Sequence, residues 1–279
     1  MGDVMSNFTD FISTGGGGGG SASYPTIFLH NSQTWVPPQD GNIMIHVIGA
    51  GGSGVAGNNS ASSSGAAGGY CRKNSLAVTT SGSFTVVIGA GGPTSGFNLT
   101  SNAGGNTTVA GTGLASTLTA NGGGGGNFNA ASGAGGTATG GDVNNAGGTS
   151  AIGRGGGAVG LTGTGNSGGG TVGFIYSGGD CDVIGDFWSS SFGNISGSLG
   201  SKGAYFEANA AYRPASVPVD AGPLAGGGSV SMANSAVYGY VIGGAATIGG
   251  GGGFCDNSGA YGAASGRGGE GCVVIQYIP

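Results

Sequence analysis

The sequence predicts an all-β protein: a small β-sandwich-like scaffold with a glycine-rich projection and essentially no α-helix. Packed polyglycine II helices are one form that projection can take. Three observations lead there. Glycine supplies 73 of 279 residues, against an average usage of about 7%. Apolar runs with strand character recur along the chain, and three of them run straight into glycine. No stretch carries helical periodicity bounded by caps.

The strands follow in order. "YPTIFLHNSQTWVPPQDGNIMIHVIGAGG" begins at Tyr24 with an apolar run, passes a Trp-Val-Pro-Pro turn region and the turn signal Asp40-Gly41, and ends in a strand over 43–48. In that strand Ile43, Ile45 and Val47 alternate with Met44, His46 and Ile48. Both faces are mostly apolar, which predicts a strand covered on both sides. The phrase returns as "FTVVIGAGG" at 84–92, as "YGYVIGG" at 238–244, and in the closing "GEGCVVIQYIP" from Gly269. These four runs suggest one common sheet whose strand ends feed glycine-rich excursions. Residues 70–78 and 107–119 read as two weaker strands.

Between about 120 and 170 the chain is dominated by glycine with small polar residues. Two fates are open to it. One is a flexible coil, since glycine loses more freedom on ordering than any other residue. The other is a bundle of extended helices with three residues per turn, packed so closely that only glycine fits at the contacts. Gly157, Gly160 and Gly163 keep a period of three, which Arg154 and Asn166 break.

Charge narrows the function classes. Charged residues make up 6% of the chain, where a soluble domain carries roughly 25%. Six Lys and Arg against eleven Asp and Glu give a net charge of -5, so the basic patch that nucleic-acid binding needs is missing. No apolar run approaches the roughly 20 residues of a membrane-spanning helix. Met1-Gly2-Asp3-Val4-Met5-Ser6 fits a myristoylation pattern, but the second anchor that stable attachment requires is absent. Residues 1–23 read as an anchoring peptide with Phe8, Phe11 and Ile12, followed by a linker of six glycines and Ser-Ala-Ser.

Gly49-Ala50-Gly51-Gly52-Ser53-Gly54 matches a dinucleotide fingerprint letter for letter. The fingerprint also needs a helix opening at its third glycine and an acid about 20 residues on. Here a poor helix former follows, and Arg72 and Lys73 stand where the acid should be. No cofactor site is expected. The two histidines, His30 and His46, lie in strand-like runs, where His46 reads as a packed side chain and not a catalytic base. Asp180, Asp182 and Asp186 match no complete calcium loop. The four cysteines show no zinc spacing and read as buried thiols, although Cys71 and Cys272 could bridge if their strands pair. No metal is expected.

Trp35-Val36-Pro37-Pro38, Ile45-His46-Val47-Ile48-Gly49-Ala50-Gly51-Gly52, Gly68-Gly69-Tyr70, Val87-Ile88-Gly89-Ala90-Gly91-Gly92, Gly104-Gly105-Asn106-Thr107-Thr108 and Gly271-Cys272-Val273-Val274-Ile275-Gln276-Tyr277 form an ordered set. Over 24–125 and 238–279 it resembles the glycine-rich domain of tailed-bacteriophage tail fibre and tail-tip proteins. The resemblance implies a compact β-structure whose glycine-rich loops contact a host surface, located in the virion at the tail fibre or tail tip. Its partners would be other tail proteins and a host receptor, either outer-membrane protein or glycan, with neither nucleic acid nor membrane insertion. A homotrimer and a single-copy tip are both compatible with it.

On that reading residues 1–23 dock to the virion through Phe8, Phe11 and Ile12, and 24–125 with 238–279 make the scaffold. Residues 126–237 form an insertion, whose segment 174–212 concentrates aromatics. Phe187, Trp188, Phe192, Tyr205, Phe206 and Tyr212 are the candidate receptor contacts, since aromatics supply large rigid contact area. The chain would be a structural, non-enzymatic protein. Two other readings are a purely structural virion component and an ice-binding polyglycine protein, which would present flat faces of Thr and Ala.

Overall fold

The computed structural model describes residues 24–57, 63–96, 101–127, 133–150, 156–168 and 263–279. Shorter stretches are described at 204–206, 230–232, 241–242, 246, 248–253 and 255–257. No α-helix occurs among the described residues, as the absence of helical periodicity predicted.

Two antiparallel sheets of five strands face each other. The first contains β1 (Thr26–Leu29), β3 (Gly41–Ile48), β5 (Tyr70–Val78), β10 (Val143–Asn145) and β16 (Cys272–Ile278), in the order β1-β16-β3-β5-β10. The second has the order β2-β6-β7-β8-β9, from β2 (Gln33–Trp35), β6 (Phe84–Val87), β7 (Thr107–Gly111), β8 (Leu118–Ala120) and β9 (Ala138–Thr139). The edge strands are short, between two and four residues, which leaves little unpaired backbone for aggregation.

Alternation sets what lies between the sheets. Ile43, Ile45 and Val47 of β3, Val273, Ile275 and Tyr277 of β16, and Leu76 and Val78 of β5 meet Trp35, Phe84, Val86, Val109 and Leu118 of the second sheet in one buried cluster. Trp35 and Phe84 pack at 5.5 Å between ring centroids. The other face of the first sheet is covered as well. Ile48, Tyr70, Cys272 and Val274 form a second cluster with Val159 and Leu161, so β3 is buried on both sides as its sequence required.

Two sequence expectations are corrected. The repeated runs do not share one sheet: β3 and β16 are neighbours, but β6 belongs to the opposite sheet. Val241–Ile242 (β13) pairs in parallel with β15 (Ala263–Ala264). The stretch 107–119 is not one strand. It folds back as the β7–β8 hairpin through Gly113, whose φ of 81° only glycine adopts without strain. Cys71 and Cys272 are both free and buried, because β5 and β16 flank β3 on opposite sides and do not pair. Their partners on β3, Val47 and Ile48, are consecutive residues, which sends the two thiols to opposite faces.

Candidate functional site

At one end of the sandwich the strands hand over to glycine. Residues 49–55 continue β3, 88–95 continue β6, 121–127 continue β8 and 146–150 continue β10. Segments 63–69, 101–106, 133–137 and 265–271 run back into β5, β7, β9 and β16. Segments 156–160, 163–168 and 249–253 complete a bundle of extended backbone.

The hydrogen bonds of 49–55 reveal its form. Gly49 and Gly52 donate to Gly69 and Ala66, Ala50 and Ser53 to Gly105 and Asn102, and Gly51 and Gly54 to Gly269 and Gly266, at 2.8–3.1 Å. Residues three apart therefore address the same neighbour, so the segment makes one turn every three residues, the geometry of a polyglycine II helix. Its carbonyls receive Gly123 and Gly126 at Ala50 and Ser53, Gly92 at Gly51 and Gly252 at Gly52.

Six segments therefore surround 49–55, and they bond to one another in a closed ring. Ala66 N–H donates to Gly124 O, Gly104 to Gly123, Gly105 to Ala90, Gly268 to Gly92, Gly269 to Gly250 and Gly68 to Gly249. A second closed ring surrounds 63–69, through Gly124 to Ala134, Gly147 to Gly136, Gly148 to Ala158, Gly251 to Gly157, Gly252 to Gly52 and Gly123 to Ala50. Two hexagons sharing an edge make this a hexagonal array of helices. The 163–168 segment adds to its rim, through Gly165 to Ala146 and Ala158 to Asn166.

Packing this close excludes side chains. A Cβ on Gly51, Gly65, Gly68, Gly104, Gly122 or Gly123 would press into a neighbouring backbone carbonyl. Side chains survive where the third direction points out of the array. Ala103 and Asn106, Ala134 and Thr137, and Arg267 and Glu270 are exposed pairs three residues apart, each enclosing two glycines. Arg267 and Glu270 pair at 2.6 Å on that shared face. Packed glycine helices thus reach from 49 to 271, far beyond the 120–170 stretch where the sequence pointed to them.

This geometry disposes of the dinucleotide fingerprint. All six amides of 49–54 are spent on backbone carbonyls, so none is free to hold a phosphate. His46 is buried and its Nδ1 lies 2.8 Å from the Tyr70 hydroxyl. Burial, with a smaller effect from the Arg72 charge, pushes its pKa down to about 3. It is a packed side chain, as its strand position suggested. Burial raises the Cys71 and Cys272 thiols to about 12, which makes them inert. No group of three or more potential metal ligands occurs among the described residues. A depression of about 120 Å3 beside Val78, Phe84 and Thr112 is well below the size of a ligand pocket.

The chain matches the family of glycine-rich domains over residues 28–278. It belongs to that family. This glycine-rich domain protein matches none of the curated proteins compared with it. The match runs through the 126–237 stretch as well as the flanks, in keeping with a bundle whose described segments come from 133–168 as well as from both sides of that stretch.

The molecule has two distinct poles. Tyr24 leads into β1 opposite Gln276, and Pro279 follows Ile278, which pairs with Asn42; both lie at the end away from the glycine helices. At the other end the outward-running segments are described as far as 57, 96, 127 and 150. There β4 (Ala56–Gly57) pairs in parallel with β14 (Cys255–Asn257), which pairs with β12 (Val230–Met232), which pairs with β11 (Ala204–Phe206). Of the candidate receptor contacts, Tyr205 and Phe206 therefore lie on a strand joined to the outer end of a central glycine helix. Phe187, Trp188, Phe192 and Tyr212 lie outside the described residues, as do Phe8, Phe11 and Ile12.

One surface escaped the sequence reading. The outer face of the second sheet carries Thr34 opposite Thr85, then a row in which Val87, Thr108, Thr119 and Thr139 are successive cross-strand partners. It continues onto the glycine helices, where Asn121 Nδ2 donates to Thr137 Oγ1 at 2.8 Å and Asn106 Oδ1 accepts from Gly122 N–H at 2.9 Å. No residue from 74 to 141 carries a charge. That run was its one signal in the sequence.

Proposed function

We propose that this chain is a structural, non-enzymatic bacteriophage virion protein, a tail fibre or tail-tip component that contributes to host recognition. The observation that carries the reading is the two-pole architecture. The segment assigned to virion docking joins the sandwich at one pole, and the array of glycine helices forms the other. Such an array suits display: its backbone is cross-bonded in several directions, so it keeps its form without a large hydrophobic core. The family supports a glycine-rich domain; the phage assignment rests on the ordered motif set and the receptor assignment on the aromatic segment 174–212.

The test uses particles that incorporate the chain. Phe187→Ala with Trp188→Ala should abolish adsorption to host cells while the thermal transition of the purified protein stays in place. Unchanged adsorption would overturn the receptor assignment. Deleting residues 1–23 should leave the fold intact and prevent incorporation; normal incorporation would overturn the docking assignment.

A further inference from the structure

We propose that the uncharged threonine face of the second sheet, with the glycine helices that extend it, is a self-association surface that pairs two copies of this chain about a two-fold axis.

Charge is the first argument. The chain carries a net charge of -5, so two copies repel wherever charged surfaces meet. The described charges keep off this face. Arg72, Lys73 and Asp142 cluster at the β5–β10 edge of the first sheet, with Lys73 and Asp142 at 2.8 Å. Arg267 and Glu270 sit on the 265–271 rim, and Asp40 lies in the turn before β3, where it accepts from Thr80 N–H. Among the described residues, the threonine face is one across which two copies can approach without bringing like charges together. Depletion of charge at the centre of the contact is also what distinguishes protein interfaces from ordinary surface.

Shape is the second. The side chains are short and come from strands about 4.8 Å apart. Four spacings plus the width of a strand give a face about 24 Å wide. From Ala110 down to Ala103 it runs seven residues, about 22 Å at 3.1–3.3 Å per residue. Two copies would cover about 1,000 Å2 in total, the size of weak, transient interfaces. A contact of that size predicts weak, reversible pairing, its strength set by packing and not by area. Val87, at 43% exposure one of the large hydrophobic residues left open, lies within it.

Symmetry is the third. A single face of one chemistry meets itself, which gives a closed two-fold dimer, whereas a three-fold ring needs two different complementary surfaces.

Sedimentation of the full chain from about 1 to 100 µM tests this. The expected result is a monomer–dimer equilibrium. Thr85→Glu with Thr139→Glu should weaken it at least tenfold, because the axis brings each new charge onto the same face of its partner. Gln39→Glu, at the base, should not. The Thr85→Lys/Thr139→Lys variant should also be weakened alone, and mixing it with the Glu variant should restore the dimer, a rescue that damage to the fold would not give. A monomer at 100 µM, a trimer, or a dimer indifferent to these charges would overturn the proposal. The mass readout is independent of cell adsorption, so its failure and that of the receptor assignment are separable.

Discussion

Alanine at Gly51 and alanine at Gly163 differ by one methyl group each from the natural chain, yet the glycine array demands opposite outcomes. Gly51 lies in the central 49–55 helix. Its amide donates to Gly269 O at 2.8 Å and its carbonyl accepts from Gly92 N–H at 2.9 Å. A Cβ there would stand 3.0 Å from the Gly249 carbonyl oxygen and closer still to that of Gly250. Both obstacles are backbone, so no rotamer change relieves them. Restoring ordinary contact moves a helix by about 1 Å and breaks both hydrogen bonds. With about 1–3 kcal/mol for each of these two bonds lost in a buried array, the loss is about 2–6 kcal/mol. That is close to half of a typical domain's stability.

Gly163 has nothing within 4 Å of its would-be Cβ, and its φ lies outside the left-handed region. Gly163→Ala should therefore be neutral or stabilising by up to about 1 kcal/mol, through reduced freedom of the unfolded chain. Urea unfolding followed by circular dichroism measures both. With a slope near 2 kcal/mol/M, Gly51→Ala lowers the midpoint by about 1–3 M and Gly163→Ala leaves it within about 0.5 M. Equal midpoints for the two variants would refute the hexagonal packing, because they would show the central helix free to move aside.

Two further outcomes follow from buried groups. His46 is held neutral in the folded protein with a pKa of about 3, against 6.5 for the free side chain, so the unfolded chain binds the extra proton between those values. Stability is fully present above pH 6.5 and falls as pH drops toward 3, by a few kcal/mol at most; urea midpoints at pH 7 and pH 4 read it, and His46→Phe should flatten the difference. Cys71 and Cys272, with thiols near 12, should resist iodoacetamide at pH 8 until urea unfolds the protein. Peptide-resolved mass spectrometry locates the label, and rapid native alkylation of either thiol would contradict its burial.

Much of the sandwich is legible in the chain itself. The alternation in Ile43–Ile48 fixes which side chains face the second sheet, and 70–78 is the strand its pattern announces. The strand-to-glycine handover is written at 48, 87 and 271. The pairing is not, because β6 and β16 carry similar apolar phrases and either could lie beside β3. Of the candidate site, the aromatic segment stands out by composition, whereas the threonine face does not. Thr34, Thr85, Thr108, Thr119 and Thr139 are far apart in sequence and unremarkable one at a time, and only register makes them a row.

The division between what sequence and tertiary structure decide follows from range. Sequence alone determined the glycine content, the strand faces and the scarcity of charge, all of which are local or summed properties. The array was decided by the tertiary structure, since each glycine helix has only about one to three turns and its period of three restarts in a new phase after every loop. Ala103-Gly-Gly-Asn106 and Ala134-Gly-Gly-Thr137 are each in step internally but not with each other along the chain. The bonds that bind them run from Gly51 to Gly269 and from Gly65 to Gly252, across separations that no local pattern can encode. A glycine is needed wherever a neighbouring backbone lies, and which backbone that is becomes defined only when all the strands are in register.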